Sequence, residues 1–413
     1  MSSIVYYGPV VSPVSLKTFK ALPSCLIAVG PLGNIDWIVE DVADDSMVQD
    51  IMAAHDYIDV AVVCLRNGEF IMPGFIDTHT HAPQVPNLGT GQQYELLDWL
   101  ESITFPMESK YSDVDFAQRT YASVVRRIID SGTTTCCYYG TIHLEATKAL
   151  ADIVHGCECN MDRNSPSHYI EPSAEPLVQP ILTPRFAITC TSSLLTSLGA
   201  LAASDPNLRI QTHISENPTE VDFTMSLFPG CSSYAGVYDS FGLLRSNTIL
   251  AHAVHLNDEE ISLVAERKAG ISHCPTSNFN LNSGVAKIGQ YLDRGIKVGL
   301  GTDVSGGYSP SILNAIRSAS IASKVIAMQH RGDPPEPAGF SNKQLLVASL
   351  LYLATLGGAE LFDALVVNVR NDAGNPALNL EGMLEQFFYC GDDRNISGVY
   401  VQGKLIGGTS FTR

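Results

Sequence analysis

Apolar and polar positions along the chain fall into three regimes. Over residues 1–70 the apolar residues come in short runs: Ile4-Val5-Tyr6-Tyr7, Cys25-Leu26-Ile27-Ala28-Val29, Ile35-Asp36-Trp37-Ile38-Val39, and Val60 to Cys64. Turn residues separate them, the last break being Arg66-Asn67-Gly68-Glu69. β-branched and aromatic runs bounded by turn signals predict strands, so a small β layer rather than helices is expected here. From Pro73 the rhythm changes. Phe75 to Thr78 is a short apolar run opened by Pro-Gly and predicts a buried strand. Phe116 to Ile129 has apolar residues at helical spacing and stops at Ser131-Gly132. Strand patterns follow at Thr133–Tyr139, Leu208–Ile214, Thr248–Ala253, Gly270–His273 and Ile296–Gly301, with helical patterns between most of them, clearest at Asp258–Lys268 and Val285–Arg294.

Alternating strands and helices imply a parallel sheet, and over this length a (β/α)8 TIM barrel. In the third regime the β pattern returns at Asp363–Val369 and Val399–Ile406, the latter with a glycine turn. The expected organisation is a β domain built from both chain ends, residues 1–72 and 361–413, interrupted by an α/β barrel at 73–360. No internal repeat and no low-complexity tract is present.

Composition narrows the function. Of 413 residues, 45% are hydrophobic and 16% charged, enough for a large core. The net charge of −18 argues against a nucleic-acid surface, which needs clustered Lys and Arg. The first twenty residues lack a basic stretch followed by an apolar one, and no apolar run is long enough to span a membrane. The expectation is a cytoplasmic protein with reduced thiols. Its ten cysteines are scattered; Cys136-Cys137 are adjacent and Cys157-x-Cys159 is too close for a zinc knuckle.

The candidate chemistry sits at strand ends, where barrels of this kind place their catalytic residues. His79 and His81 are two apart on a strand and so point to one side, half of a metal site. His213 ends another strand, and Glu216 follows three residues later. A carboxylate so close to a metal site suits a proton shuttle. Ser215-Glu216-Asn217 could equally begin a helix with Ser215 as its cap. His252 follows the apolar run at Ile249-Leu250-Ala251, while His255 falls just beyond and reads as a loop residue. Asp303 follows the glycine-rich run Val298-Gly299-Leu300-Gly301. An aspartate there can ligate a metal and hold an attacking water.

This ordered set, His-x-His, His, His and Asp, resembles the amidohydrolase superfamily. The resemblance implies a TIM barrel beside a β-sandwich. It also implies one metal, expected to be Zn2+, bound by His79, His81, His213 and Asp303, with His252 hydrogen-bonding the water or substrate. Members with two metals carry a modified lysine on the fourth barrel strand. The matching run Pro180-Ile181-Leu182-Thr183-Pro184-Arg185-Phe186 has none. Finer motifs are similar to those of the guanine-deaminating members: Pro73 to Gln84, Leu97-Asp98-Trp99-Leu100 with Thr104-Phe105-Pro106-Met107-Glu108, Thr183 to Phe186, His213 to Asn217, His273 to Asn278, and Gly391 to Asn395. Carried over, Gln84, Arg185 and Phe186 would hold a purine, in contact also with His81, His213, Glu216 and Asp303. Glu216, Asp303 and His252 would perform the catalysis, and a homodimer would be the assembly. Arg185 can donate to a carbonyl oxygen, Gln84 can donate and accept, and Phe186 can stack.

Rival readings are a deaminase or chlorohydrolase of the same superfamily acting on another ring, and an inactive binding barrel. The His-x-Glu with Pro-Cys-x-x-Cys pattern of the other zinc deaminases is absent. Three segments are shorter than the resemblance leads one to expect: Asp152–Cys159, Asn164–Pro180 and Leu356–Asp363. None touches a candidate ligand, but barrel helix or strand would be lost and an apolar sheet face exposed.

Overall fold

The computed structural model describes residues 2–159, 178–331, 339–355, 363–369 and 378–412. Most of the second and third shortened segments, the boundary at 360/361 and the side chains of Cys157 and Cys159 lie outside the described residues. Helix Leu144–Cys159 runs unbroken through the first shortened segment, so no helix is lost there.

The N-terminal strands are β1 (Ile4–Pro13), β2 (Phe19–Val29), β3 (Ile35–Glu40), β4 (Ala61–Cys64) and β5 (Glu69–Pro73). The central strands are β6 (Phe75–His81), β7 (Thr133–Tyr139), β8 (Ile181–Leu182), β9 (Arg209–Ile214), β10 (Thr248–His252), β11 (Gly270–His273) and β12 (Val298–Leu300). The C-terminal ones are β13 (Ala364–Asn368), β14 (Ile396–Val401) and β15 (Lys404–Gly407).

Strands from both ends share one sheet, in the order β15-β14-β13-β5-β1-β2-β3 with β4 paired to β1. The joint is β13 against β5, antiparallel, with Leu365 opposite Met72 and Val367 opposite Phe70. All four side chains are buried. The β14–β15 hairpin turns at Gln402-Gly403, both at positive φ (47° and 72°), the backbone that a two-residue hairpin of right-handed twist requires.

Helices also occupy these terminal parts, which the strand-like runs did not announce. Val48–Ala54 follows a turn capped by Asp44, and its Val48 and Met52, four apart, pack on Val5, Leu26 and Ala28. Leu380–Cys390 buries Leu384, Phe387 and Phe388; Phe387 stacks on Phe75 with ring centroids 6.2 Å apart. Phe387 also meets Phe70 of β5 edge-on at 6.3 Å, so this helix ties the end-built sheet to the first central strand.

The central strands run parallel, β8 to β12 as one sheet and β6 beside β7. Side chains and loop backbone join the two groups. Between β6 and β12, Thr78 Oγ1 donates to Leu300 O at 2.9 Å, and Asp303 N donates to His79 O at 2.8 Å. Between β7 and β8, Gln211 on β9 donates to Tyr138 O and to Thr183 Oγ1, each at 2.9 Å, and accepts from the Cys137 thiol. A cavity of about 1040 Å³ lies beside β7, bordered by Thr135, Cys137, Leu150, Val154, Ile181 and Ile249 among others. Thr135 is exposed and Cys136 to Tyr138 are only half-buried. No helix among them is long and apolar enough to cross a membrane.

Candidate active site

The tips of β6, β9 and β10 and the loop after β12 converge. The alternation of β6 turns His79 and His81 inward, and Asp77 below them is fully buried. Asp77 accepts from His79 N at 3.2 Å, from Thr302 N at 3.0 Å and from the Thr302 hydroxyl. One carboxylate thus fixes the first strand tip to the loop carrying Asp303. Burial nevertheless raises its carboxyl pKa to about 6. Gly301 permits this approach. A Cβ there would meet Ser272 Oγ at 2.6 Å, Cys274 Sγ at 2.9 Å and His79 Cβ at 2.9 Å. A Gly301→Ala variant is expected to lose about 1–3 kcal/mol of stability by overpacking, and metal affinity with it. Denaturant midpoints and metal content check this; parent-like values of both would contradict the packing described.

The donor atoms lie close together. His79 Nε2 is 3.0 Å and His81 Nε2 3.4 Å from Asp303 Oδ1, and His81 Nε2 is 3.1 Å from His213 Nε2. One ligand atom each from His79, His213, His252 and Asp303 fall within 4.8 Å of one another, a set that includes His252 and not His81. The ring of His213 is set from behind. Its Nδ1 donates to Arg185 O at 2.6 Å, which leaves Nε2 facing the cluster. His252 Nδ1 likewise donates to Asn278 Oδ1 at 2.9 Å. Burial keeps these imidazoles neutral: it pushes His81 and His252 down to about 4, and His213 well below its ordinary value.

Glu216 sits beside the cluster, Oε2 3.3 Å from His252 Nε2 and Oε1 buried without a hydrogen-bond partner. Burial first, and then the charges of Asp303 and Glu220, raise its carboxyl well above the usual range. Asp303 goes the other way. Burial would raise it, but His252 and the hydrogen bonds of His79 and His81 hold it well below. Two carboxyls in one site are therefore shifted in opposite directions. Ser215, His252, Ala253 and Asp303 all adopt positive φ, a backbone region that costs non-glycine residues energy and is concentrated at functional sites.

Gln84, Arg185 and Phe186 border a narrow cavity with His81, His213 and Glu216. At about 20 Å³ it holds roughly one water. Trp99, Leu96 and Leu281 close its apolar side.

The structure brings His79, His81, Gln84, Arg185, Phe186, His213, Glu216, His252 and Asp303 together. His255 is not among them: it donates to Ser283 O at 2.7 Å, as a loop residue. Ser215 is not a helix cap. The helix Pro218–Leu227 is capped by Asn217, whose side chain accepts from Thr219 N while Glu220 reaches back. Ser215 instead has a buried hydroxyl without a partner. Sequence reasoning did not assign Asp77, Asn278 or Glu108 to the site. Asp77 lies two residues before His79, and Asn278 and Glu108 close motifs quoted above; their position in those motifs was the available signal.

Comparisons with known proteins bear on this geometry. Residues 70–406 match the amidohydrolase family. A guanine deaminase of Dictyostelium discoideum is 39% identical over 97% of this chain and 98% of its own length. That alignment runs over 458 positions against a chain of 413 residues, so the relative carries segments that this chain lacks. A probable guanine deaminase of Schizosaccharomyces pombe is 43% identical over 83% of this chain and 72% of its own. The crystal structure of a guanine deaminase from C. acetobutylicum with guanine bound in its active site superposes with a TM-score of 0.84 and 31% identity, covering 98% of this chain and all of that one.

Proposed function

This chain belongs to the amidohydrolase family and catalyses the hydrolytic deamination of guanine, and we propose how its residues divide that work. The donor set fits a divalent cation: buried imidazoles kept neutral by burial face a buried carboxylate that is held ionised. Histidine nitrogen and aspartate oxygen suit zinc, and we assign one ion per chain to His79, His81, His213 and Asp303. When bound, the ion lowers the pKa of water toward neutrality.

The chain's own groups do the rest. Asp303 and Glu216 accept the proton of the attacking water, and His252 holds that water against the amino-bearing carbon. Glu216 passes a proton to the adjacent ring nitrogen. The second proton of that water passes through Asp303 to the amino group, the carbon–nitrogen bond breaks, and ammonia leaves as the carbonyl of xanthine forms. Arg185 donates to the guanine carbonyl oxygen, Gln84 offers a donor and an acceptor to the purine edge, and Phe186 lies against the ring. The single observation carrying this reading is the neighbourhood of Glu216. Its carboxyl, which burial pushes up, stands 3.3 Å from His252 and borders the same cavity as Arg185 and Gln84.

Loss of guanine absorbance with zinc-loaded and chelated protein tests the assignment. Arg185→Ala is expected to cost about 2–4 kcal/mol of transition-state binding, because a polar substrate group is left unpaired. Parent-like kcat/KM on guanine would remove Arg185 from the site. Faster turnover of adenine or cytosine than of guanine would displace the substrate assignment.

We further read the sheet of the two chain ends as a β-sandwich portion, with the barrel at 73–360, and the chain as a cytoplasmic homodimer. Light scattering of the purified protein tests the dimer.

A further inference from the structure

We propose that Glu108 is the positioning residue that sets the purine-reading pair, an inference that rests on guanine being the substrate. Three N–H groups converge on its carboxylate. Arg185 Nη1 donates to both oxygens, at 2.9 and 2.8 Å, and Gln84 Nε2 donates to Oε1 at 2.9 Å. The carboxylate and guanidinium are both largely buried. Only an ionised carboxylate accepts from all three donors at once.

The consequence for the two readers follows from counting their hydrogen-bonding groups. The Gln84 amide is held at both ends, since its Oε1 also accepts from Ser305 N at 3.1 Å. Its orientation is thereby fixed, with one N–H and one lone pair left for a ligand. Arg185 spends Nη1 on Glu108, and its Nη2 and Nε remain for a ligand oxygen. The Phe105 ring, on the same short helix Phe105–Glu108, lies 5.7 Å from the guanidinium carbon. Residues three apart on a helix share a face, so one helical turn holds Arg185 from two directions. The backbone of Arg185 meanwhile holds the ring of His213. Glu108 itself does not border the narrow cavity. It acts on the substrate through Arg185 and Gln84, in the way that supporting groups fix a binding constellation.

Pairing with Glu108 also cancels the charge of Arg185. The site then favours a neutral oxo group, as guanine presents, over an anionic one.

The test compares Glu108→Gln and Glu108→Asp with the parent as zinc-loaded enzymes. Glutamine places an NH2 against other donors, and aspartate is one methylene too short to reach both partners. Each variant is expected to keep the parent's metal content and a kcat within a few-fold. Each should raise the guanine KM roughly tenfold or more, the scale of a lost charge-assisted contact. Xanthine affinity, read from the fluorescence of Trp99 in the cavity wall, requires no turnover and should weaken in parallel for the neutral ligand. In an Arg185→Ala background, Glu108→Gln should add no more than a few-fold.

Parent-like KM and xanthine affinity in either variant would overturn the role of Glu108, as would a full loss repeated in the Arg185→Ala background. Should Glu108→Gln fail to fold, Glu108→Asp keeps the charge and decides the matter alone. A parent enzyme that leaves guanine unchanged would instead overturn the functional reading.

Discussion

His213→Ala is expected to lose both its metal and its turnover. His213 Nε2 lies 3.1 Å from His81 Nε2 and belongs to the set of donors within 4.8 Å of one another. Even groups that only support a ligand typically contribute ~10–100-fold to metal affinity, so removal of a ligand itself should cost at least about 100-fold. The loss should not be confused with unfolding. His213 sits at the tip of β9 rather than in its middle, and the bonds made by its backbone, from His213 N to Arg185 O and from the Tyr238 hydroxyl to His213 O, survive the substitution. Circular dichroism and metal content measured on one sample separate the two. A His213→Ala protein that still holds a full complement of metal would remove His213 from the ligand set.

The second large effect belongs to Glu216. Glu216→Gln is expected to keep near-full metal occupancy and bind guanine, yet lose ~10²–10⁴-fold in kcat, the range of a general acid–base group. Glutamine matches the size of the side chain and keeps one acceptor oxygen, but it cannot carry and release a proton. The backbone N–H of Glu216 donates to Glu220 at 2.8 Å, so the loop remains anchored without the carboxyl. Turnover at the parent's rate would reduce Glu216 to a residue of the loop before the helix. Loss of metal would make it a ligand and overturn the division of roles proposed here.

The strand tips were legible because a strand's period of two is rigid. Once Phe75 to Thr78 reads as a strand, His79 and His81 must share a side, and the apolar runs before His213 and His252 place those residues at similar tips, with Asp303 in the loop just past β12. The two-ended sheet was legible for the same reason. The helices Val48–Ala54 and Leu380–Cys390 were not. The first is only two turns long, and its buried face amounts to Val48 and Met52, too few positions to establish a period. Glu108 lies 77 residues from Arg185 in sequence, and only the folded chain brings them together. Asn217 took the capping role that Ser215 offered on paper because Glu220, three residues after Asn217, completes a reciprocal pair with it. The place of His252 among the clustered donors has no counterpart in sequence spacing, which set it apart from the ligands as a hydrogen-bonding residue.

The central claim is a single-metal hydrolytic deamination of guanine, and metal content and guanine turnover on the same purified sample test it most directly. The account predicts about one zinc per chain, conversion of guanine to xanthine with release of one ammonia, and loss of that activity on chelation with recovery on adding zinc back. Two metals per chain, or a zinc-loaded protein that leaves guanine unchanged, would contradict it.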